Sequence, residues 1–75
     1  MSALEELCRR VHHSRGMFHK LALEALRDFL NTTPEERLIE MISTFSSKVL
    51  LRHLWEAGLT RPLQEAVLKR YEELK

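Results

Sequence analysis

The chain has little of what small proteins commonly use to staple a fold together or to build a reactive centre. One cysteine, Cys8, among 75 residues excludes an internal disulfide. With an opening Met-Ser-Ala in place of a basic and apolar leader, this predicts a reducing, cytoplasmic setting. No apolar run approaches the roughly 20 residues needed to span a bilayer. Charged residues, 31% of the total, are spread along the whole length, so no membrane partner is expected. Two glycines and two prolines leave no glycine-rich phosphate loop. No segment alternates polar and apolar residues long enough to predict a strand.

What remains is rich in Leu, Glu, Arg and Ala and reads as all-α, a single helical domain over residues 1–75. That length is near the lower limit at which one hydrophobic core outweighs chain entropy. Ser2-Ala3-Leu4-Glu5 has capping-box spacing, which predicts that the Ser2 oxygen accepts a first-turn N–H while Glu5 reaches back. From there Leu4, Leu7, Cys8, Val11, Phe18, Leu21, Ala22, Ala25, Leu26 and Phe29 fall on one broad stripe at about 100° per residue, predicting a first helix over about 3–30. Ser14, Arg15 and Gly16 interrupt the stripe and admit a kink or break there. Thr33-Pro34-Glu35-Glu36 predicts a second start, with Thr33 as cap and Pro34 in the first turn. The second helix then runs over about 34–57, to Gly58 in a left-handed terminal position. Thr60 and Pro62 open a third helix over about 61–74.

The expected lengths do not match. Helices of ~42 and ~36 Å would be covered by a third of only ~21 Å. On the second, Leu38, Ile42, Phe45 and Val49 share one face, whereas Leu51, Leu54 and Trp55 point nearly the other way. A segment apolar on both sides needs two walls, so the hairpin is expected to be completed by dimerisation into a bundle. Ser43, Thr44, Ser46 and Ser47 are read as a solvated face of the same helix, with close approach of another helix as the alternative.

Chemistry-bearing residues concentrate early. Cys8 to Lys20, CRRVHHSRGMFHK, holds three of the four histidines, the only cysteine and no acid. No acid occurs from Met41 to Trp55 either. An antiparallel hairpin would set residue 12 beside about residue 53 and bring these spans together. They would form a basic belt from residues 9–20 and 48–53, with Arg9, Arg10, His13, Lys20, Lys48 and Arg52 as anion or nucleic-acid contacts. The overall charge of +1 is low for a nucleic-acid binder, and a helix-turn-helix aligned on Gly58 places His53 and Gln64 where apolar residues belong. Cys8 and His12, four apart, with His53 opposite, could converge on a metal, but no CxxC or HExxH pairing supports them, and neither metal nor other cofactor is expected. No carboxylate orients a Cys8–His12 pair, so the chain is not expected to be an enzyme. The sequence reads best as a small regulatory or interaction protein, homodimeric, that binds another protein through Leu51, Leu54 and Trp55; a nucleic-acid-binding regulator using the belt is the alternative.

Overall fold

The computed structural model describes residues 2–74, and these form five α-helices and no strand. They are α1 (Ala3–His13), α2 (Met17–Thr32), α3 (Glu35–Ile42), α4 (Lys48–Glu56) and α5 (Arg61–Glu73). The all-helical class holds, and the three-helix architecture does not: each expected long helix is cut in two. The longest dimension of the molecule, 32 Å, is shorter than the ~42 Å that an unbroken first helix would need.

Local chemistry explains both cuts. At Ser14 the backbone turns extended, and the Ser14 hydroxyl donates to the Val11 carbonyl at 3.2 Å, occupying one of the acceptors that α1 leaves open at its end. Arg10, His12 and His13 in that last turn suit the negative end of the helix dipole. Gly16 then adopts φ +62°, a left-handed conformation that costs a glycine little and other residues more, and α2 starts anew. In the second cut, Ser43 Oγ donates to the Glu40 carbonyl at 2.6 Å and Thr44 Oγ1 to the Met41 carbonyl at 2.8 Å. These hydroxyls satisfy the carbonyls that end α3, so the backbone can leave the helix. Ser47 Oγ accepts from Leu50 N–H at 3.4 Å and starts α4. The serines therefore end one helix and begin another, rather than lining the side of one.

A break resets helical phase, and this corrects two assignments of faces. Val11 is buried as expected, but Phe18, one heptad on across the Gly16 corner, is 74% exposed, and Leu21 is exposed beside it. Val49, expected to share a buried face with Phe45, is exposed because Phe45 lies on the loop and α4 begins with a new rotation. The start of α3 differs too. Pro34, not Thr33, precedes its first residue, and the Thr33 N–H instead closes α2 on the Phe29 carbonyl at 3.1 Å. Ser2 caps α1 as expected, accepting from Glu5 N–H at 3.2 Å. Gly58 is left-handed, and α5 carries Pro62 in its first turn.

Helix α1 is the central element, packed against α2, α3 and α4, while α5 closes the other side against α3 and α4. The buried side chains, among them Leu4, Cys8, Leu26, Leu38, Ile42, Phe45, Leu51, Leu54 and Val67, form one cluster. Both walls of α4 thus come from within the chain, which removes the bare long hairpin that motivated dimerisation. The α3–α4 loop is fixed from two sides. Glu5, itself buried, does not reach back to Ser2; its Oε2 accepts from Ser46 N–H at 3.0 Å and from the Ser46 hydroxyl at 3.1 Å. Arg70 Nε of α5 donates to the Phe45 carbonyl at 2.7 Å. That carbonyl and that N–H belong to one peptide group, so an acid from α1 and a base from α5 hold a single peptide while the Phe45 ring fills the core beneath it.

Candidate functional site

The start of α4 set by this clamp aims Lys48, Arg52 and Trp55 along one edge of the helix, at i, i+4 and i+7, toward α5. Facing them, α5 presents Val67, Leu68 and Tyr71. Between the two helices lies an open groove of about 240 Å³ lined by Leu51, Arg52, Trp55, Val67, Leu68 and Tyr71. Leu51 and Val67 are buried and form its floor. Trp55 keeps 40% and Leu68 52% of their surface, with Tyr71 partly open beside them. Lys48 Nζ stands 5.1 Å from the centre of the Tyr71 ring, a cation–π arrangement that fixes the ring at the groove wall. A larger groove of about 470 Å³ runs between α3 and α5, where Ile39, Pro62 and Ala66 are interleaved with Glu65, Lys69, Arg70 and Glu73.

The expected partner contact is redistributed. Leu51 and Leu54 are wholly inside the chain, because α1 and α5 supply the walls for which a partner was expected. Of the three, Trp55 alone keeps exposed surface. Leu68 was absent from the sequence reading, standing as it does off the apolar stripe of Leu63 and Val67.

The belt residues are partly brought together and partly used within the chain. Helix α1 does lie on α4, and His12 Nδ1 is 2.9 Å from His53 Nε2, so the expected neighbourhood of residues 12 and 53 is found. Their rings meet edge to face with centroids 4.9 Å apart, and His13 stacks the same way on His12. Such a hydrogen bond needs one ring to accept, hence to be neutral. Burial, helped by the charges of His12, His19 and Arg52 and opposed by Glu56, pushes the His53 pKa below its ordinary 6.5. His19 Nδ1 is 3.3 Å from the Val11 carbonyl, across the α1–α2 corner. Arg9 pairs with Glu6 at 3.7 Å and Lys48 is engaged on Tyr71, which leaves Arg10, His13, Lys20 and Arg52 as exposed belt residues.

Cys8 is buried, and its pKa is pushed up to about 12 by that burial and, secondarily, by the Glu5 carboxylate. At neutral pH it is a thiol, neither nucleophile nor ready metal ligand. Among the described residues no group of three or more His, Cys, Asp or Glu side chains is placed to hold one metal ion. No helix among them is long and apolar enough to cross a membrane. Comparison of the chain with protein-family models, curated proteins and solved structures finds no match.

Proposed function

We propose that this chain is a protein-interaction module that seats an amphipathic helix of a partner in the groove between α4 and α5. The observation that carries the reading is an open apolar trough with a half-exposed tryptophan, bordered on its α4 side by the cations Lys48 and Arg52. An apolar floor favours a helix with side chains at i, i+3 or i+4, and i+7; a cationic border favours acidic residues beside them. Partly exposed Trp and Tyr side chains are the residue types that carry most binding energy when a partner completes their burial.

The charge of the border argues against the most exposed apolar patch of a second copy as the occupant. That patch, at Met17, Phe18 and Leu21 of α2, is accompanied by Arg15 and Lys20, which would meet Lys48 and Arg52 with like charge. The nucleic-acid reading weakens because Arg9, His12, Lys48 and His53 make contacts within the chain. We read the module as a binder rather than a catalyst, the buried Cys8 thiol offering no nucleophile.

The test is retention from native lysate on immobilised wild-type chain and on Leu68→Glu, each with and without nuclease. Leu68 is half-exposed, so the variant should fold. Proteins retained by the wild type after nuclease and lost with Leu68→Glu support the reading. Retention that nuclease abolishes supports the nucleic-acid alternative.

A further inference from the structure

The corner between α1 and α2 carries the most exposed large apolar side chains among the described residues. Met17 keeps 77% and Phe18 74% of their surface, and Leu21 follows one turn later. Leu26 marks the buried side of α2; at helical spacing Met17 and Leu21 lie nearly opposite it, with Phe18 on the flank between. None of the grooves described among these residues is lined by Met17, Phe18 or Leu21. Around them cations predominate, and the first acid, the exposed Glu24, stands one turn beyond Leu21. From Leu7 to Leu23 there is no acid, and Arg10, Arg15 and Lys20 are exposed and outside every ion pair among the described residues. The first turn of α2 also lacks an acid, and Gly16 before it provides no side-chain cap, so the positive end of that helix adds to the local field.

We propose that this corner seats the chain on an anionic lipid surface, with Phe18, Met17 and Leu21 entering the headgroup–acyl boundary and Arg10, Arg15 and Lys20 meeting lipid phosphates. The occupants differ in what they leave unsatisfied. A second copy would gather four cations, Arg15 and Lys20 from each chain, with only Glu24 of each to offset them. A nucleic acid would neutralise the cations and leave Phe18 and Met17 in water. A partner helix needs a groove to lie in, and none of the grooves described is lined by these side chains. A lipid boundary supplies an apolar phase and anionic headgroups together and conforms to the side chains that enter it. The expectation of no membrane partner rested on the lack of a spanning run, whereas surface insertion needs a depth of only about 5–10 Å.

The experiment is co-sedimentation of the full chain with phosphatidylcholine vesicles and with the same lipid mixed with phosphatidylserine, at low and high salt. The wild type should pellet with the anionic vesicles only, and less at high salt. Arg15→Gln with Lys20→Gln should lower the partition coefficient about 25-fold, at about fivefold per cation. Phe18→Ser should lower it roughly tenfold through lost apolar insertion. Unchanged helical circular dichroism and urea midpoints establish that both variants are folded. A wild type that stays in the supernatant with anionic vesicles overturns the proposal, and so does binding that Phe18→Ser leaves intact, which would mark charge attraction alone. Neither variant touches the α4–α5 groove, so the two readings fail separately.

Discussion

Removing the Glu5 carboxylate should loosen the α3–α4 loop and, through it, the start of α4. Glu5 Oε2 accepts two hydrogen bonds from Ser46, one from the backbone and one from the hydroxyl. Hydrogen bonds to a charged group contribute about 1.5–3 kcal/mol. Ser46 itself is exposed, so water recovers part of the loss and Glu5→Ala should cost roughly 2 kcal/mol. For a domain of this size the whole stability is of the order of 4–11 kcal/mol, and a loss of 2 kcal/mol corresponds to roughly 8–16 °C in Tm. Arg70→Ala, which frees the Phe45 carbonyl on the other side of the same peptide, should cost about 1–2 kcal/mol. The clamp makes a sharper claim than either number. Two groups that hold one peptide lose part of each other's benefit once the first is gone, so the double variant should be less destabilised than the sum by at least 0.5 kcal/mol. Urea denaturation of the four proteins in the cycle measures this. A Glu5→Ala loss under about 0.5 kcal/mol, or single losses that add within about 0.3 kcal/mol, would refute the clamp.

The reset of helical phase at Gly16 predicts that Phe18→Ala changes stability by less than about 0.5 kcal/mol, whereas Leu51→Ala, in the core, should cost roughly 2–5 kcal/mol in the same urea assay. Comparable losses would mean that α2 is rotated from its described position. Cys8, a buried thiol with its pKa pushed up to about 12, should resist iodoacetamide at pH 8 in the folded protein and react promptly in urea, as followed by mass spectrometry. Fast labelling of the native chain would contradict its burial. His53 has a folded pKa below 6.5, so as pH falls through 6.5 the unfolded chain takes up a proton first and stability declines. The fall in urea midpoint between neutral and mildly acidic pH should be smaller in His53→Asn, and an identical fall in both proteins would remove His53 as its source.

The sequence carried the helical class because its apolar residues recur at helical spacing and its caps are local. Ser2, Gly58 and the opening of α5 were legible for that reason, as was the burial of Leu4, Cys8, Val11, Leu26, Leu38, Ile42 and Phe45. The breaks were harder to read. A stripe drawn through Gly16 looks continuous on paper, since projection assumes that phase is kept. The signal for the second break was present in Ser43, Thr44, Ser46 and Ser47: four hydroxyls in five positions can cap two helix ends as readily as line one face. The Glu5–Ser46 contact spans 41 residues, and the capping-box spacing gave Glu5 a plausible local partner instead. The groove was only partly visible, because it depends on how α4 and α5 are turned toward each other. Trp55 could be picked out by its type, but Leu68 becomes a wall residue only once Val67 is packed inward.

Trp55 is the sole tryptophan and lines the proposed seat, so its fluorescence reports on that groove alone. The most direct measurement is a titration of the chain with two synthetic amphipathic helices of equal apolar face, one flanked by glutamates and one by lysines. The account predicts a saturable blue shift with the acidic helix, little response to the basic one, and loss of the acidic response in Leu68→Glu. No shift with the acidic helix, or equal shifts with both, would contradict a cation-bordered groove that seats an acidic partner.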